Sequence, residues 1–261
     1  MVPAIIWKAG QNMKVIDFPK IKVSCEQCSL TELCLPRGLS ESDLETLDRM
    51  VKRPQPVQKN SIVFRCGDRL DSLFAVRSGT IKLCLASDDG EEQILGFYLP
   101  GEIFGLDAIE SGRHTCTATA LETSSVCAFP YANLSDICRQ IPTLHEQLMQ
   151  LVGKELNNEN RLLLTIGKKS AEERLATFLL SLSSRFSRLG YSSNEFRLTM
   201  SRQEIGNYLG LTIETVSRIL TRFQKAGLIA IERRFVTILD MPALRATCGH
   251  GVALRTRSRD S

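Results

Sequence analysis

The run Leu198 to Ala226, LTMSRQEIGNYLGLTIETVSRILTRFQKA, leaves the chain few local choices, because it carries the signals of two short helices around a tight break. Ser201 stands three residues before Glu204, so its side chain can cap a helix while Glu204 reaches back to the capping amide. Ile205 and Leu209 share one face of that helix, and Gly210 can stop it in the left-handed conformation. Thr212 can cap a second helix, in which Ile213, Val216, Ile219, Leu220 and Phe223 form the apolar stripe. The opposite face carries Glu214, Thr215, Ser217, Arg218, Thr221 and Arg222. A helix with a short polar edge near its N-terminus and cations further along has the layout needed to enter a DNA major groove. Arg can donate twice to guanine, Glu can accept from cytosine, and Ser or Thr can serve several bases. A merely solvated amphipathic helix would need neither the compact break nor both caps.

The chain has 261 residues, 43% of them hydrophobic, enough for one large core or two ordinary ones. Its net charge of +4 permits a local basic patch without announcing a nucleic-acid partner. No apolar run approaches membrane-spanning length, and the opening MVPAIIW lacks the flanks of a signal peptide. Nine cysteines, irregularly spread, point to reduced thiols in the cytoplasm, some of them binding metal, and not to a disulfide framework.

Residues 1–20 show no period and read as an arm. Within residues 21–141 come first Cys25, Cys28 and Cys34, followed by Pro36 and Gly38. Three soft thiolates at this spacing suit a loop folded around zinc or an iron–sulfur cluster, although tetrahedral ligation needs a fourth ligand that the stretch lacks. Ser40 opens a short helix through about Val51. From Pro56 to Pro130 short β-branched and aromatic runs alternate with Gly- and Asp-rich turns, the texture of an antiparallel barrel or jelly roll. Residues 142–167 form a long helix ended by Gly167. Its apolar positions include Leu148, Val152, Leu156 and Leu163, a candidate dimer seam interrupted by Asn157 to Arg161. Residues 168–245 hold a capped helix from Ser170 to about Leu189, the helix pair, and a short hairpin from Leu228 to Ile231 and Phe235 to Leu239. Residues 246–261 read as a basic tail. The expected fold is therefore α+β, with an antiparallel β-barrel or jelly roll, a long dimerisation helix and a C-terminal winged helix-turn-helix.

Arg77-Ser-Gly-Thr-Ile-Lys82 and Pro100-Gly-Glu-Ile-Phe-Gly105 resemble the cyclic-nucleotide-binding-like barrel of the CRP/FNR regulators. Ala171-Glu-Glu-Arg-Leu-Ala176 and Ile205-Gly-Asn-Tyr-Leu-Gly-Leu-Thr-Ile-Glu-Thr-Val-Ser-Arg218 are similar to the FNR branch in particular. The resemblance covers roughly Cys25 to Leu239. It implies a homodimeric, oxygen-sensing transcription regulator that is not an enzyme. It also implies a remote fourth cysteine, a role that falls on Cys127 and not Cys116, so that Cys25, Cys28, Cys34 and Cys127 would hold a [4Fe–4S] cluster. Thiolate count alone permits zinc equally well. The resemblance assigns base reading to Glu214, Ser217 and Arg218 on an inverted repeat of TTGAT half-sites. It matches the hairpin Ser87, Asp88, Asp89, Gly90 and Glu91 to a surface that touches RNA polymerase. It also places an acidic residue at Glu159, in the interruption of the dimer seam. Thr215 joins the DNA-facing set, and Arg222 suits a phosphate.

Two rival readings fit less of the sequence. Nucleotide-binding relatives place an Arg-Ser pair where this chain has His114-Thr115, which offers no guanidinium for a cyclic phosphate, and Arg113 falls on the other side of the strand alternation. A metalloenzyme would need a general base, and His114, His145 and His250 form no recognisable catalytic constellation.

Overall fold

The computed structural model describes residues 24–86 and 89–249. The expected arm and most of the expected tail lie outside the described residues. The helix α1 (Glu41–Met50) starts at Ser40, whose hydroxyl accepts from the Asp43 amide, and it buries Leu47. Seven strands follow: β1 (Ile62–Phe64), β2 (Ser72–Ser78), β3 (Ile81–Ala86), β4 (Glu92–Tyr98), β5 (Ile103–Phe104), β6 (Thr117–Ala120) and β7 (Ser125–Pro130). They make two antiparallel sheets, one in the order β1-β6-β3-β4 and one in the order β5-β2-β7.

The inner faces of both sheets meet in a core of Phe64, Val76, Ile81, Leu83, Phe104, Cys116, Ala118, Ala120 and Val126. The second face of the three-stranded sheet, with Leu73, Ala75 and Phe129, is covered by α1, by α2 (Tyr131–Gln140), by the start of α3 (Pro142–Lys168) and by the loop around Cys25 and Leu35. Burial on both faces is why β2 reads as a nearly continuous apolar run instead of alternating.

The helix α3 does not stop at Gly167. It runs to Lys168, and Lys169 then turns extended, φ −96° and ψ 146°. Nothing crowds the exposed Gly167. A helical glycine costs about 1 kcal/mol relative to alanine, too little to end a helix that packing and the next cap already define. That next cap is Ser170, which forms a reciprocal box with Glu173 at the start of α4 (Ala171–Arg188).

The C-terminal region packs α4, α5 (Arg202–Leu209) and α6 (Ile213–Lys225) with a three-stranded sheet. The expected hairpin forms as β9 (Ile229–Glu232) and β10 (Phe235–Ile238). It gains an unexpected partner, β8 (Glu195–Arg197), in the order β8-β10-β9. The expected boundary at residue 245 falls inside a helix, α7 (Met241–Thr247), capped by Asp240 and anchored by the fully buried Leu244.

The two regions are not separate bodies. Cys84, Ile94, Phe97, Leu99 and Leu121 on the far side of the four-stranded sheet join Leu175, Phe178, Leu179, Ile205 and Leu209 in one core. Arg185 of α4 places its guanidinium on both carboxylate oxygens of Glu102 and on the Phe97 carbonyl. The molecule is thus layered: helices and cysteine loop, three-stranded sheet, four-stranded sheet, helix-turn-helix.

Candidate nucleic-acid interface and thiol site

Both caps of the helix pair form as the residues dictate. Ser201 accepts from the Glu204 amide at 3.2 Å, and Glu204 Oε2 accepts from the Ser201 amide at 2.8 Å. Gly210 takes φ 63°, and Thr212 accepts from the Thr215 amide at 3.2 Å. Gly206 is required for a second reason. A Cβ there would lie 2.5 Å from the Leu211 carbonyl oxygen, so the break between the helices can be this tight only without a side chain.

On α6, Val216, Ile219, Leu220 and Phe223 are buried as expected, but Ile213 is 44% exposed. It sits on the first turn, before the helix reaches the core. Glu214 and Arg218 are exposed on one edge, with Ser217 half-buried beside them. Arg202 of α5 donates to Ser217 Oγ at 3.2 Å, a neighbour that sequence spacing could not reveal. The Thr215 hydroxyl lies 3.1 Å from that of Thr212, inside the cap. Arg222 forms an ion pair with Glu172 on the first turn of α4. The turn of the wing is Arg233-Arg234, with Arg233 at φ 55°. This basic pair was legible in the sequence between the two apolar runs.

The cysteine loop is a series of tight turns. Cys28 N donates to Cys25 O, Thr31 N to Cys28 O, and Cys34 N to Leu30 O. Cys25 is buried, its amide donates to Asp48 Oδ1 at 2.7 Å, and Arg53 lies between Asp48 and the Cys25 sulfur. The loop also rests on the turn at Gly101, where a Cβ would come 2.9 Å from Leu33 Cβ. Cys127 lies opposite Ala75 in the β2–β7 ladder. Because strand side chains alternate, Val126 points between the sheets and Cys127 points to the face that carries the loop. Cys116 is buried between the sheets and bonded to Asp107. Period-two parity therefore separates Cys127 from Cys116.

Burial pushes the Cys25 and Cys34 thiols up to about 12, with Asp48 adding to the rise at Cys25. Cys34 also feels the charge of Cys127, Cys25 and Cys28. Burial raises Cys127 as well, against the pull of Arg53 and Arg77. All nine thiols are free. Among the described residues, no three His, Cys, Asp or Glu side chains are grouped closely enough to hold a metal ion as they stand. The donor set suits a thiolate-bound group, and the loop would have to draw in to bind one.

His114 is 3% exposed, stacks on Phe64 with ring centroids 3.6 Å apart, and lies 3.2 Å from Asp107 Oδ1. Arg113 donates instead to the Gly67 carbonyl at 2.7 Å, and Glu102 is taken by Arg185. The groups nearest to a nucleotide-binding pattern are committed to the protein itself.

On α3, Leu148 is only 8% exposed and packs in its own sensory core, so the expected seam does not begin there. Val152, Leu156 and Leu163 are 38%, 58% and 69% exposed. They border a groove of about 930 Å³ that also includes Tyr98, Phe104 and Glu159. Partial burial and then the neighbouring Glu155 charge raise the Glu159 carboxyl above its ordinary value. Asp89, Gly90 and Glu91 lie at the β3–β4 turn, while Ser87 and Asp88 lie outside the described residues.

Residues 173–247 match the Crp-like helix-turn-helix domain family, and residues 54–141 match the cyclic nucleotide-binding domain family. The chain is 48% identical over 228 residues to the fumarate and nitrate reduction regulatory protein of Salmonella typhimurium, covering 87% of this chain and 91% of the relative. The chain belongs to the FNR branch of the Crp/Fnr transcription regulators. It is also 48% identical over 222 residues to the anaerobic regulatory protein of Pasteurella multocida, covering 85% of this chain and 81% of that one. The solved structure of FixK2 from Bradyrhizobium japonicum matches with a TM-score of 0.71 at 28% identity, over 77% of this chain and 98% of that one. Among the described residues, no helix is long and apolar enough to cross a membrane.

Glu204 generates a pH prediction. Burial alone would raise its carboxyl, but the Ser201 amide and hydroxyl, and then Lys82, hold it below the ordinary glutamate range. A depressed pKa contributes stability that is complete above the unfolded value of about 4.3 and is lost as the pH falls through the lower folded value. Glu204→Gln should cost about 1–2 kcal/mol at neutral pH. The gap to wild type should close as the pH drops below about 4.3 in denaturant titrations. A gap that stays constant to lower pH would contradict the assignment.

Proposed function

We infer that this protein is an oxygen-responsive regulator of transcription that binds double-stranded DNA as a homodimer under anaerobic conditions. The observation that carries the DNA part is the edge with exposed Glu214 and Arg218 and half-buried Ser217 on the doubly capped helix pair, which a basic wing follows. The three side chains suit bases, and Arg222 suits a phosphate once it leaves Glu172. Binding selections on random duplexes should show Arg218→Ala losing about 1–3 kcal/mol and relaxing one base position. Arg222→Ala should weaken all sequences alike and reduce the salt slope by about one. Unchanged base preferences in Arg218→Ala would remove Arg218 from the reading set.

The oxygen part rests on the anaerobic and fumarate and nitrate reduction regulators to which the chain is similar, and on thiols that suit a soft metal group, with Cys25 and Cys34 packed in the same core as Cys127 and Cys28 in the turns of the same loop. Cys25, Cys28, Cys34 and Cys127 would hold a [4Fe–4S] cluster, which supplies lability toward oxygen. Holding it would tie the N-terminal loop to β7 and so to the layer on which α3 begins. The bare apolar stripe of α3 supports a helix-to-helix dimer in which two Glu159 carboxylates come together, so the association is weak unless the sensory domain supports it. Protein loaded with iron and sulfide under argon should be coloured and sediment as a dimer, while air-exposed protein should be colourless and monomeric. Cys127→Ser should abolish the colour and Cys116→Ser should not. Glu159→Ala should restore the dimer without iron. An air-exposed form as dimeric as the loaded one would show that oxygen acts without splitting the dimer, and colourless zinc-bound protein would favour a structural metal.

The β3–β4 turn supports a contact with RNA polymerase, because its Asp89 and Glu91 are exposed acidic residues between two strands of the sheet against which the C-terminal helices pack. Substituting Asp89 or Glu91 should lower transcription in a purified system severalfold at unchanged DNA affinity. Full transcription from every such variant would leave the turn without that role.

A further inference from the structure

Strand β4 is an edge of the four-stranded sheet, so the outward N–H and C=O groups along it need partners. Two of them are met by one side chain of the helix pair. Asn207 on α5 donates from Nδ2 to the Glu92 carbonyl at 2.6 Å, and its Oδ1 accepts from the Ile94 amide at 2.6 Å. The side-chain amide therefore binds β4 as the main chain of an added strand would. The connection is returned from the other side, since Gln93 Nε2 donates to the Asn207 carbonyl at 2.8 Å. One turn earlier on α5, Glu204 pairs with Lys82 of β3 at 3.3 Å. Beneath these bonds Ile94 and Phe97 share a core with Ile205 and Leu209, and Phe97 packs edge-on against Tyr208 at 5.3 Å.

We propose that Asn207 is a positioning residue that locks the DNA-reading helix pair to the edge of the sensory sheet, so that the two helix pairs of a dimer are presented at one fixed spacing. This rests on the DNA-binding, dimeric reading given above. An apolar contact is non-directional and tolerates sliding, whereas two short bonds from one planar amide to two main-chain groups fix both register and angle. Without that lock each helix pair can still fold and read a half-site, because its caps and its glycines lie within the pair. What is lost is the high effective concentration of the second reading head over the second half-site, which depends on a geometry held in advance.

The test uses the full-length protein kept under argon, the inverted-repeat duplex selected by the wild type, a duplex carrying one half-site, and a duplex with two extra base pairs between half-sites. Asn207→Ala should bind the full site about tenfold more weakly, bind the single half-site as the wild type does, and lose most of the preference for native over stretched spacing. Asn207→Asp, which keeps the acceptor for Ile94 but sets oxygen against the Glu92 carbonyl, should behave like the alanine variant. Gln93→Ala, which leaves α5 intact, should move the spacing preference in the same direction by a smaller factor. Amide exchange provides a readout independent of DNA: the Ile94 N–H should exchange at least tenfold faster in Asn207→Ala. Equal losses on half-site and full site, an unchanged spacing preference, a wild-type-like Asn207→Asp, or unchanged Ile94 exchange would each overturn the proposal. Failure of the wild type to bind any duplex would instead count against the DNA-binding reading, and the exchange measurement would still decide the lock.

Discussion

The outer face of the four-stranded sheet has to be covered, and what covers it is the DNA-binding region. Cys84, Ile94, Phe97 and Leu99 cannot face water in a sheet whose other side is already the interior of the sandwich. The C-terminal helices supply Leu175, Phe178, Leu179, Ile205 and Leu209 to complete that layer. Once this burial is in place the polar contacts across it become specific. Arg185 grips Glu102 from inside the interface, where losing either partner would leave a charge mostly out of water at a cost of about 3 kcal/mol or more. Thr80 meets Thr199 at 3.1 Å, and Arg197 meets Glu122 at 3.0 Å.

The same layering gives the thiol face a route to the reading helices. Cys127 stands on β7, and β7 pairs with β2, whose opposite face packs on the four-stranded sheet. That sheet carries β3 and β4, to which α5 is bonded. A second route runs through α3, which starts in the core beneath the cysteine loop and later accepts a hydrogen bond from Tyr98 on Glu155.

The charged residues around the recognition helix also take their meaning from the assembled structure. Arg222 is held by Glu172, and Ser217 accepts from Arg202, although neither partner is near in sequence. In the unbound protein the charge of Arg222 is thus partly neutralised by its neighbour. Any anion that takes Arg222 has to compete with the Glu172 carboxylate.

Local chemistry wrote the helix pair into the sequence. Ser201 with Glu204, Gly210 and Thr212 act over three or four residues, so their caps and the tight break could be read without any tertiary information. The antiparallel barrel or jelly roll was legible from its turns, whereas the face on which Cys127 lies is fixed by its pairing opposite Ala75. Gly167 misled because a weak local preference was overruled by packing and by the cap at Ser170. Strand β8 and helix α7 are short, and what defines them is packing against elements distant in sequence, β10 and α4. Leu148 reads like the other seam leucines, and only the folded structure assigns it to its own protomer's core while leaving Leu156 and Leu163 bare. The Asn207 lock lies furthest from the sequence. An asparagine on a helix has many possible partners, and the edge of β4 becomes one only after two regions more than a hundred residues apart have shared a core.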